Sequence, residues 1–334
     1  MSVDSREAST GGTGGSAAAK PSAARRVRNN VLRFGMIWAL VGLVILTSIL
    51  YPGFFDPGNI NNVFSQVAPT GIVAVGMTYV ILAGGFDLSV AAIFAAATVL
   101  YASLADSVSL PLAFVITVVI CTLMGAINGF IVTVMGVNPF IATLSTSSLF
   151  LGAATIYSNS GPVIPNNPSF SSLGLGKIAG ISNANYFLVA FLIVFGVILA
   201  RTTYGRMIYS VGGNREASRL AGIRVNWVTV STYMVTGLCA SVGGMILASM
   251  STVGQSSLGG TVTLDSIAIV IIGGTSLLGG EGAMWRTLVG LSIWGVLSNL
   301  FNSVGLSAAT QLLMQGAILL FAVFLDVLSR KYRR

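Results

Sequence analysis

Charged residues are scarce in this chain of 334 residues: aspartate, glutamate, lysine and arginine together make up 8% of it, against about 25% in an ordinary soluble domain. Hydrophobic residues make up 54%, and the mean hydropathy is +0.88. Four long stretches carry no charge: 57–86, 107–176, 225–264 and 287–325. A water-soluble surface cannot be built from such a sequence, which excludes a soluble enzyme, a nucleic-acid-binding domain and a disordered chain.

Histidine is absent altogether, which excludes Ser-His-Asp and Cys-His catalysis, His-ligated zinc and a histidine proton relay. The two cysteines, Cys121 and Cys239, lie in apolar surroundings, and we interpret them as small buried hydrophobic residues. None of the three lysines fits the G-x-x-x-x-G-K-[ST] pattern of a nucleotide-binding loop. We therefore expect this chain to bind no metal or cofactor, and ATP hydrolysis to come from another chain.

The hydrophobic runs predict an all-α, polytopic membrane protein with about ten transmembrane helices, because a membrane-spanning helix needs about 20 mostly apolar residues. The alternating pattern of a membrane β-barrel is absent. The fourth span is long and the fifth begins at Asn138-Pro139, so either is a candidate for a tilted, broken or partly re-entrant course. The ten predicted spans are 34–51, 66–83, 88–105, 110–135, 139–158, 186–203, 225–250, 263–279, 286–303 and 309–328.

The positive charges predict the orientation of these spans. If the N-terminus lies inside, 16 of the 17 lysines and arginines fall on inner segments and only Lys177 falls outside, as the positive-inside rule requires. Both termini are therefore predicted to be cytoplasmic. Residues 1–30, rich in Ser, Gly and Ala, are predicted to form a disordered cytoplasmic tail, and residues 31–334 the transmembrane domain.

The longest predicted inner loop, 204–224 (YGRMIYSVGGNREASRLAGIR), contains the signals of a short helix. Gly212–Gly213 predicts a flexible joint, and Asn214 is a plausible N-cap. Glu216 falls in the first turn, where a negative charge suits the helix dipole. Gly222 can end the helix.

This short helix has an apolar face made of Ala217, Leu220 and Ala221 at positions i, i+3 and i+4. A small apolar ridge flanked by charges can dock into a groove of a soluble protein. The alternative is a helix that only lies on the lipid surface.

Polar residues near membrane depth are candidate functional positions. Asp87 is predicted at the inner boundary, where it either caps the helix starting at Leu88 or takes part in gating or coupling. Neutral polar side chains can hydrogen-bond a polar solute, or they can join helices to one another. Our candidates for the solute pathway are Asn128, Asn138, Thr143 and Gln311.

A weak internal repeat links two apolar segments. The sequence VILAGG at 80–85 resembles VIIGG at 270–274, and both follow a span that is predicted to run inward. Membrane transporters often contain such repeats, with the solute site at the interface between them.

Four motifs resemble those of one family, the ribose/xylose-type permeases of bacterial ABC importers. Glu216-Ala217-Ser218-x-x-x-Gly222 resembles the E-A-A-x-x-x-G loop of ABC importer permeases. Residues 84–90, GGFDLSV, are similar to the G-G-x-D-L-S-V segment of the sugar permeases. Gly212-Gly213-Asn214 and residues 272–280, IGGTSLLGG, resemble two further segments of that group, and the similarity covers roughly 34–328.

The resemblance implies a permease domain at 31–334, in the bacterial cytoplasmic (inner) membrane, that translocates a monosaccharide such as ribose or xylose. Its implied partners are an ABC ATPase with two nucleotide-binding units, which uses ATP and Mg²⁺, an extracytoplasmic sugar-binding protein, and a second permease, identical or paralogous, in the lipid bilayer. The alternative is an ion- or proton-coupled secondary transporter, although no lysine or arginine within the spans pairs with an acid.

The resemblance also implies roles for individual residues. In that family the inner-loop helix sits in a cleft of the ATPase and couples ATP use to the opening of the pathway. The implied coupling residues are Gly212, Gly213, Asn214, Arg215, Glu216, Ala217, Ser218 and Gly222. The implied family-motif or gating residues are Gly84, Gly85, Asp87, Gly273 and Gly274.

Overall fold

The computed structural model describes residues 35–331, without the side chains of 322 and 325–331. The predicted tail at 1–30 lies outside the described residues. The helices and strands, in chain order, are α1 (Gly35–Leu50), α2 (Pro57–Leu82), α3 (Val90–Leu104), α4 (Leu110–Thr133), α5 (Pro139–Tyr157), α6 (Ser172–Leu175), β1 (Lys177–Ile178), β2 (Ile181–Ser182), α7 (Asn183–Arg201), α8 (Thr203–Gly213), α9 (Arg215–Leu220), α10 (Val225–Ser251), α11 (Val262–Ile272), α12 (Met284–Ser303) and α13 (Ala308–Lys331).

Each of the ten predicted spans coincides with a helix, which confirms the all-α fold. Five helices, α2, α4, α5, α7 and α10, are long and apolar enough to cross a membrane. The number of ten crossings stays a prediction, because α1, α3 and α11 are shorter apolar helices. The only strands in the described residues form a small antiparallel hairpin, β1–β2.

Two sequence expectations about the spans need correction. Helices α4 and α5 are continuous from end to end, so neither span is broken, and a tilted or re-entrant course stays a prediction. The span predicted over 263–279 is shorter, because α11 ends at Ile272 and an irregular segment follows. The chain leaves helical structure at 83–89 and at 273–283 instead, directly after the two segments of the internal repeat.

Helix α10 is the centre of the bundle and packs against α2, α3 and α4. Each of the five long helices contains an apolar stretch of 18 residues. Within the chain, 89% of this stretch is buried in α2 and 67% in α10, but only 22% in each of α4, α5 and α7. The small residues Gly125 and Gly129 allow α4 to approach α10, since a Cβ on either would meet the backbone at Tyr233 or Val230. The peripheral helices expose apolar faces suited to lipid.

The loops gather at two ends of the bundle. The α9 end consists of α8, α9 and the loops 83–89, 134–138 and 273–283; there Gly280 N–H donates to the Leu82 carbonyl (2.9 Å). The hairpin end consists of β1–β2 and the loops 105–109, 158–182 and 252–261; there Val163 and Gly254 exchange two backbone hydrogen bonds. Asp87 and the loop 204–224, predicted at the inner side, meet at the α9 end, and Lys177, predicted outside, lies at the hairpin end.

Candidate functional site

Helix α9 has the two caps that its sequence predicts. The side chain of Asn214 accepts a hydrogen bond from Ala217 N–H (2.9 Å), which confirms it as the N-cap. Gly222 adopts a φ of +83° after the last turn, and Ile223 N–H donates back to the Ser218 carbonyl (3.0 Å). This six-to-one bond is a Schellman ending, which glycine favours because it has no Cβ. A helix of six residues is thus defined at both ends.

The charges of α9 pair along one side of the helix. Arg219 Nη2 donates to Glu216 Oε1 (2.6 Å), and both side chains are about two-thirds exposed. The Arg219 guanidinium, by hydrogen bonding and by its charge, lowers the pKa of the Glu216 carboxyl below its ordinary value. Because the pair is exposed, it orders the surface of α9 more than it stabilises the fold.

The predicted apolar ridge of α9 is uncovered. Ala217, Leu220 and Ala221 are all exposed, and 76% of the Leu220 surface is accessible. On the opposite side Ser218 is buried against the rest of the α9 end. The ridge therefore points away from this chain, and both a protein partner and the lipid surface stay predictions for what covers it.

Three of the four sequence motifs meet in a contact that we call the glycine junction, made of Gly84, Gly212, Gly279 and Gly280. A Cβ on Gly212 would overlap the carbonyl oxygen of Leu82, and one on Gly279 would lie 2.9 Å from the backbone of Gly84. The junction joins α8 to the loops 83–89 and 273–283. Gly212 is therefore tightly packed near the end of α8, which contradicts a flexible joint at this residue, whereas a joint at Gly213, which has no atom within 4 Å of an added Cβ, stays a prediction.

The internal repeat is also a structural repeat. Two residues beyond the end of α2 lies Gly84 at φ +80°, and two residues beyond the end of α11 lies Gly274 at φ +81°. Gly85 N–H donates to the Val80 carbonyl (2.9 Å), and Thr275 N–H to the Val270 carbonyl (3.2 Å). Both helices thus close with the same Schellman ending. Gly85 and Gly273 lie in the turns that follow the two helices, and the helices pack against each other.

Loop 83–89 is held by a buried set of hydrogen bonds, which we call the Asn128 network. Asp87 Oδ1 accepts from Ser89 N–H (2.9 Å) and Ser89 Oγ (2.6 Å). Asn128 Nδ2 donates to Ser89 Oγ (2.6 Å), and its Oδ1 accepts from Thr146 Oγ1 (2.6 Å). Thr143 Oγ1 accepts from Leu88 N–H (3.0 Å).

Asp87 does not cap a helix that starts at Leu88, because α3 begins at Val90 and its N-cap is Ser89; Asp87 instead accepts hydrogen bonds from Ser89 just before the helix, and its role in gating or coupling stays a prediction. Its other oxygen, Oδ2, is buried and has no hydrogen-bond partner. Asn128 and Thr143 are fully buried and already bonded within the protein. Their contact with a solute stays a prediction.

The two other pathway candidates lie elsewhere. Asn138 is the N-cap of α5, since its side chain accepts from Phe140 N–H (2.9 Å). Gln311, at the start of α13, donates to Asn302 Oδ1 (3.0 Å) and to the Leu306 carbonyl (3.0 Å). Both side chains hold turns, so the structure does not bring the four candidates together.

At the hairpin end, Asp106 is bonded to Asn166 and Asn167 in a contact that the sequence did not indicate and that we call the Asp106 latch. Asp106 accepts hydrogen bonds from Asn166 N–H (2.9 Å), Asn166 Nδ2 (3.0 Å) and Asn167 N–H (2.9 Å). These bonds, first of all those from the backbone of Asn166, lower the pKa of the Asp106 carboxyl. They hold the 158–182 segment against the end of α3.

The sequence pattern also did not indicate two members of the Asn128 network, Ser89 and Thr146. Ser89 stands inside the GGFDLSV motif and could have been selected with Asp87. Thr146 gives no signal in the sequence, because a threonine in an apolar helix most often bonds to its own helix. The same holds for Tyr233 on α10, whose hydroxyl donates to the Phe86 carbonyl (3.0 Å).

Residues 59–323 match the model of the permease family described as "Branched-chain amino acid transport system / permease component". The ribose import permease protein RbsC of Bacillus subtilis is 40% identical over 297 residues, 88% of this chain and 92% of that protein. Its Escherichia coli K12 counterpart is 36% identical over 293 residues, 86% and 91%. The L-arabinose ABC transporter permease protein AraH of Azospirillum brasilense is 32% identical over 320 residues, 95% and 94%. No solved structure matches the chain.

The family match covers most of the chain, and the relatives align over nearly their whole length. The apolar helices agree with a multi-pass protein of the cytoplasmic membrane. The chain therefore belongs to this permease family and is a membrane-embedded permease subunit of an ABC importer.

Proposed function

We propose that this chain moves a monosaccharide, such as ribose, xylose or a similar sugar, across the cytoplasmic membrane as one of two permease subunits. The names of its relatives, for ribose and L-arabinose import, support a sugar as cargo. The second subunit is either another copy of this chain or a paralogue. A separate extracytoplasmic protein delivers the sugar to the hairpin end.

In this proposal the energy comes from a separate ATPase that binds ATP and Mg²⁺ and holds α9 in a groove. The observation that carries the proposal is the uncovered ridge of Ala217, Leu220 and Ala221 on a helix capped at both ends. The glycine junction then connects α9 to the loops 83–89 and 273–283, so that a force on α9 reaches the ends of α2 and α11.

The test compares two exposed apolar residues at the same end of the bundle. Leu220→Ser removes the largest side chain of the ridge, and Val134→Ser, at the end of α4 with 60% exposure, is the matched control. In membranes that contain the complete transporter, we expect Leu220→Ser to lose uptake and to release the ATPase during purification, while Val134→Ser keeps both. Equal behaviour of the two variants would contradict docking at α9.

The cargo is tested with a panel of labelled solutes in the same membranes: ribose, xylose, L-arabinose and leucine. We expect uptake of a pentose that needs ATP and persists with a protonophore. Uptake of leucine would support the amino-acid description of the family and contradict a sugar cargo. Uptake that stops with a protonophore and needs no ATP would favour a secondary transporter.

A further inference from the structure

Loop 83–89 is attached on one side to the coupling region. Just before it, the carbonyl of Leu82 accepts the N–H of Gly280 (2.9 Å) and lies directly against Gly212 at the end of α8. These contacts are between backbones, so they have little freedom to slide. A displacement of α8 and α9 therefore displaces loop 83–89.

The same loop is attached on its other side to two peripheral helices. Asn128 of α4 bonds to Ser89 with its amide nitrogen and to Thr146 of α5 with its amide oxygen. Asp87, Ser89 and Asn128 are fully buried, and Thr146 is 3% exposed. Both polar atoms of the Asn128 amide are thus engaged inside the protein.

We propose that Asn128 is a positioning residue for transport: it carries the movement of loop 83–89 to α5 and does not bind the transported solute. This inference rests on the proposed function, because it assumes that an ATPase moves α9. Buried polar groups keep their partners, since leaving one unpaired at low dielectric is costly. Moving Ser89 therefore moves Asn128 and, through it, Thr146, in addition to the direct bond that Leu88 N–H of the same loop donates to Thr143 of α5 (3.0 Å).

The surroundings of α5 allow it to respond. Only 22% of its 18-residue apolar stretch is buried within this chain, the same share as in α4 and α7, compared with 89% in α2. A helix with few internal contacts shifts against its neighbours more readily than a helix in the close-packed centre. The Asn128 network thus connects the coupling region to a helix that is able to move.

Three variants and one control separate this role from a loss of folding. Asn128→Leu keeps the side-chain size but removes both hydrogen bonds. Thr146→Val keeps the shape but removes the bond to Asn128 and the weaker bond to the Thr143 carbonyl of its own helix (3.2 Å), whereas Thr146→Ser keeps the hydroxyl. Thr117→Val is the control, because Thr117 is equally buried on α4 and its hydroxyl bonds only to Ala113 of its own helix (2.8 Å).

The readout is the amount of sugar moved per ATP hydrolysed by the complete transporter in proteoliposomes. We expect Asn128→Leu to lower this ratio about tenfold, with ATPase activity and subunit assembly retained. Thr146→Val should lower the ratio, whereas Thr146→Ser, which keeps the hydroxyl, and Thr117→Val should both leave it unchanged. The loss should be the same for every sugar that the transporter accepts.

A second readout follows α5 directly through spin labels on Leu149→Cys in α5 and Ile193→Cys in α7, both of which are exposed. We expect an ATP-dependent change in their distance that disappears in Asn128→Leu and in Thr146→Val. The native Cys121 and Cys239 are fully buried and do not interfere with labelling.

An unchanged ratio in both Asn128→Leu and Thr146→Val would overturn this inference, as would a loss restricted to one sugar, which would indicate a solute ligand. A wild-type complex that moves sugar without ATP would instead contradict the proposed function itself. The two failures are therefore distinguishable.

Discussion

Two adjacent glycines in the chain provide a sharp test of the structure, because they form one motif in sequence and differ in space. An added Cβ at Gly212 would overlap the carbonyl oxygen of Leu82 and lie 2.6 Å from Gly280 N. An added Cβ at Gly213 has no atom within 4 Å. We therefore expect Gly212→Ala to be damaging and Gly213→Ala to be tolerated.

The magnitude follows from the atoms involved. The atoms that an added Cβ at Gly212 would contact belong to the backbone of Leu82 and Gly280 and cannot rotate aside. We therefore expect the hydrogen bond from Gly280 N–H to the Leu82 carbonyl to be lost. Leaving such a pair unsatisfied costs about 1–3 kcal/mol. At Gly213, the last residue of α8, alanine is the better helix former by about 0.5–1 kcal/mol, so this variant should be as stable as the wild type.

The assay is thermal denaturation of the purified complex in mild detergent, followed by ATP-driven uptake in proteoliposomes. Gly212→Ala should denature at a lower temperature and transport poorly, and Gly213→Ala should match the wild type in both. If the two glycines served as a flexible joint, both alanines would reduce uptake at unchanged stability. That result, or equal stability of the two variants, would refute the packing of the glycine junction.

Three further predictions concern other parts of the molecule. Glu216→Lys and Gly222→Asp should both insert and fold but lose uptake: the first places a third cation in α9, and the second strains a residue at φ +83° by about 1 kcal/mol; normal uptake by both would contradict the coupling role. The pKa of Asp106 is lowered, so the latch is at full strength above the ordinary aspartate pKa of about 4 and weakens as the pH falls through the lowered pKa of the folded protein. Protease cleavage of the hairpin end should therefore be slower in the wild type than in Asp106→Asn at neutral pH, and the difference should vanish in strong acid. Tyr233→Phe removes the bond to the Phe86 carbonyl and should cost about 0.5–1.5 kcal/mol, measurable as a lower denaturation temperature.

Much of the α9 region was predictable from the sequence. Asn214 and Gly222 were expected at the two ends of the helix and stand there. The ridge around Leu220 was expected to be apolar and is exposed. These features depend on hydrogen bonds and side chains within a few residues of one another, so a local sequence pattern is enough to predict them.

Other parts of the site could not be predicted from local sequence patterns. Gly212 was expected to be flexible but is tightly packed against Leu82. A local pattern could not predict this contact, because the two residues are 130 positions apart in the chain. Asn128 was named as a candidate for the solute pathway, with a bond between helices as the alternative, but no local pattern indicates its actual partners, Ser89 and Thr146. The Asp106 latch joins two loops that share no pattern.

The sequence by itself determined the membrane environment, the positions of the helices and the caps of α9, because hydropathy and short-range hydrogen bonding are properties of contiguous residues. Only the tertiary structure decided which helix is central, that the glycine motifs touch, and that Asn128 joins α4 to loop 83–89 and α5. Those contacts depend on how the helices cross, and the crossings are set by close packing between residues far apart in the chain.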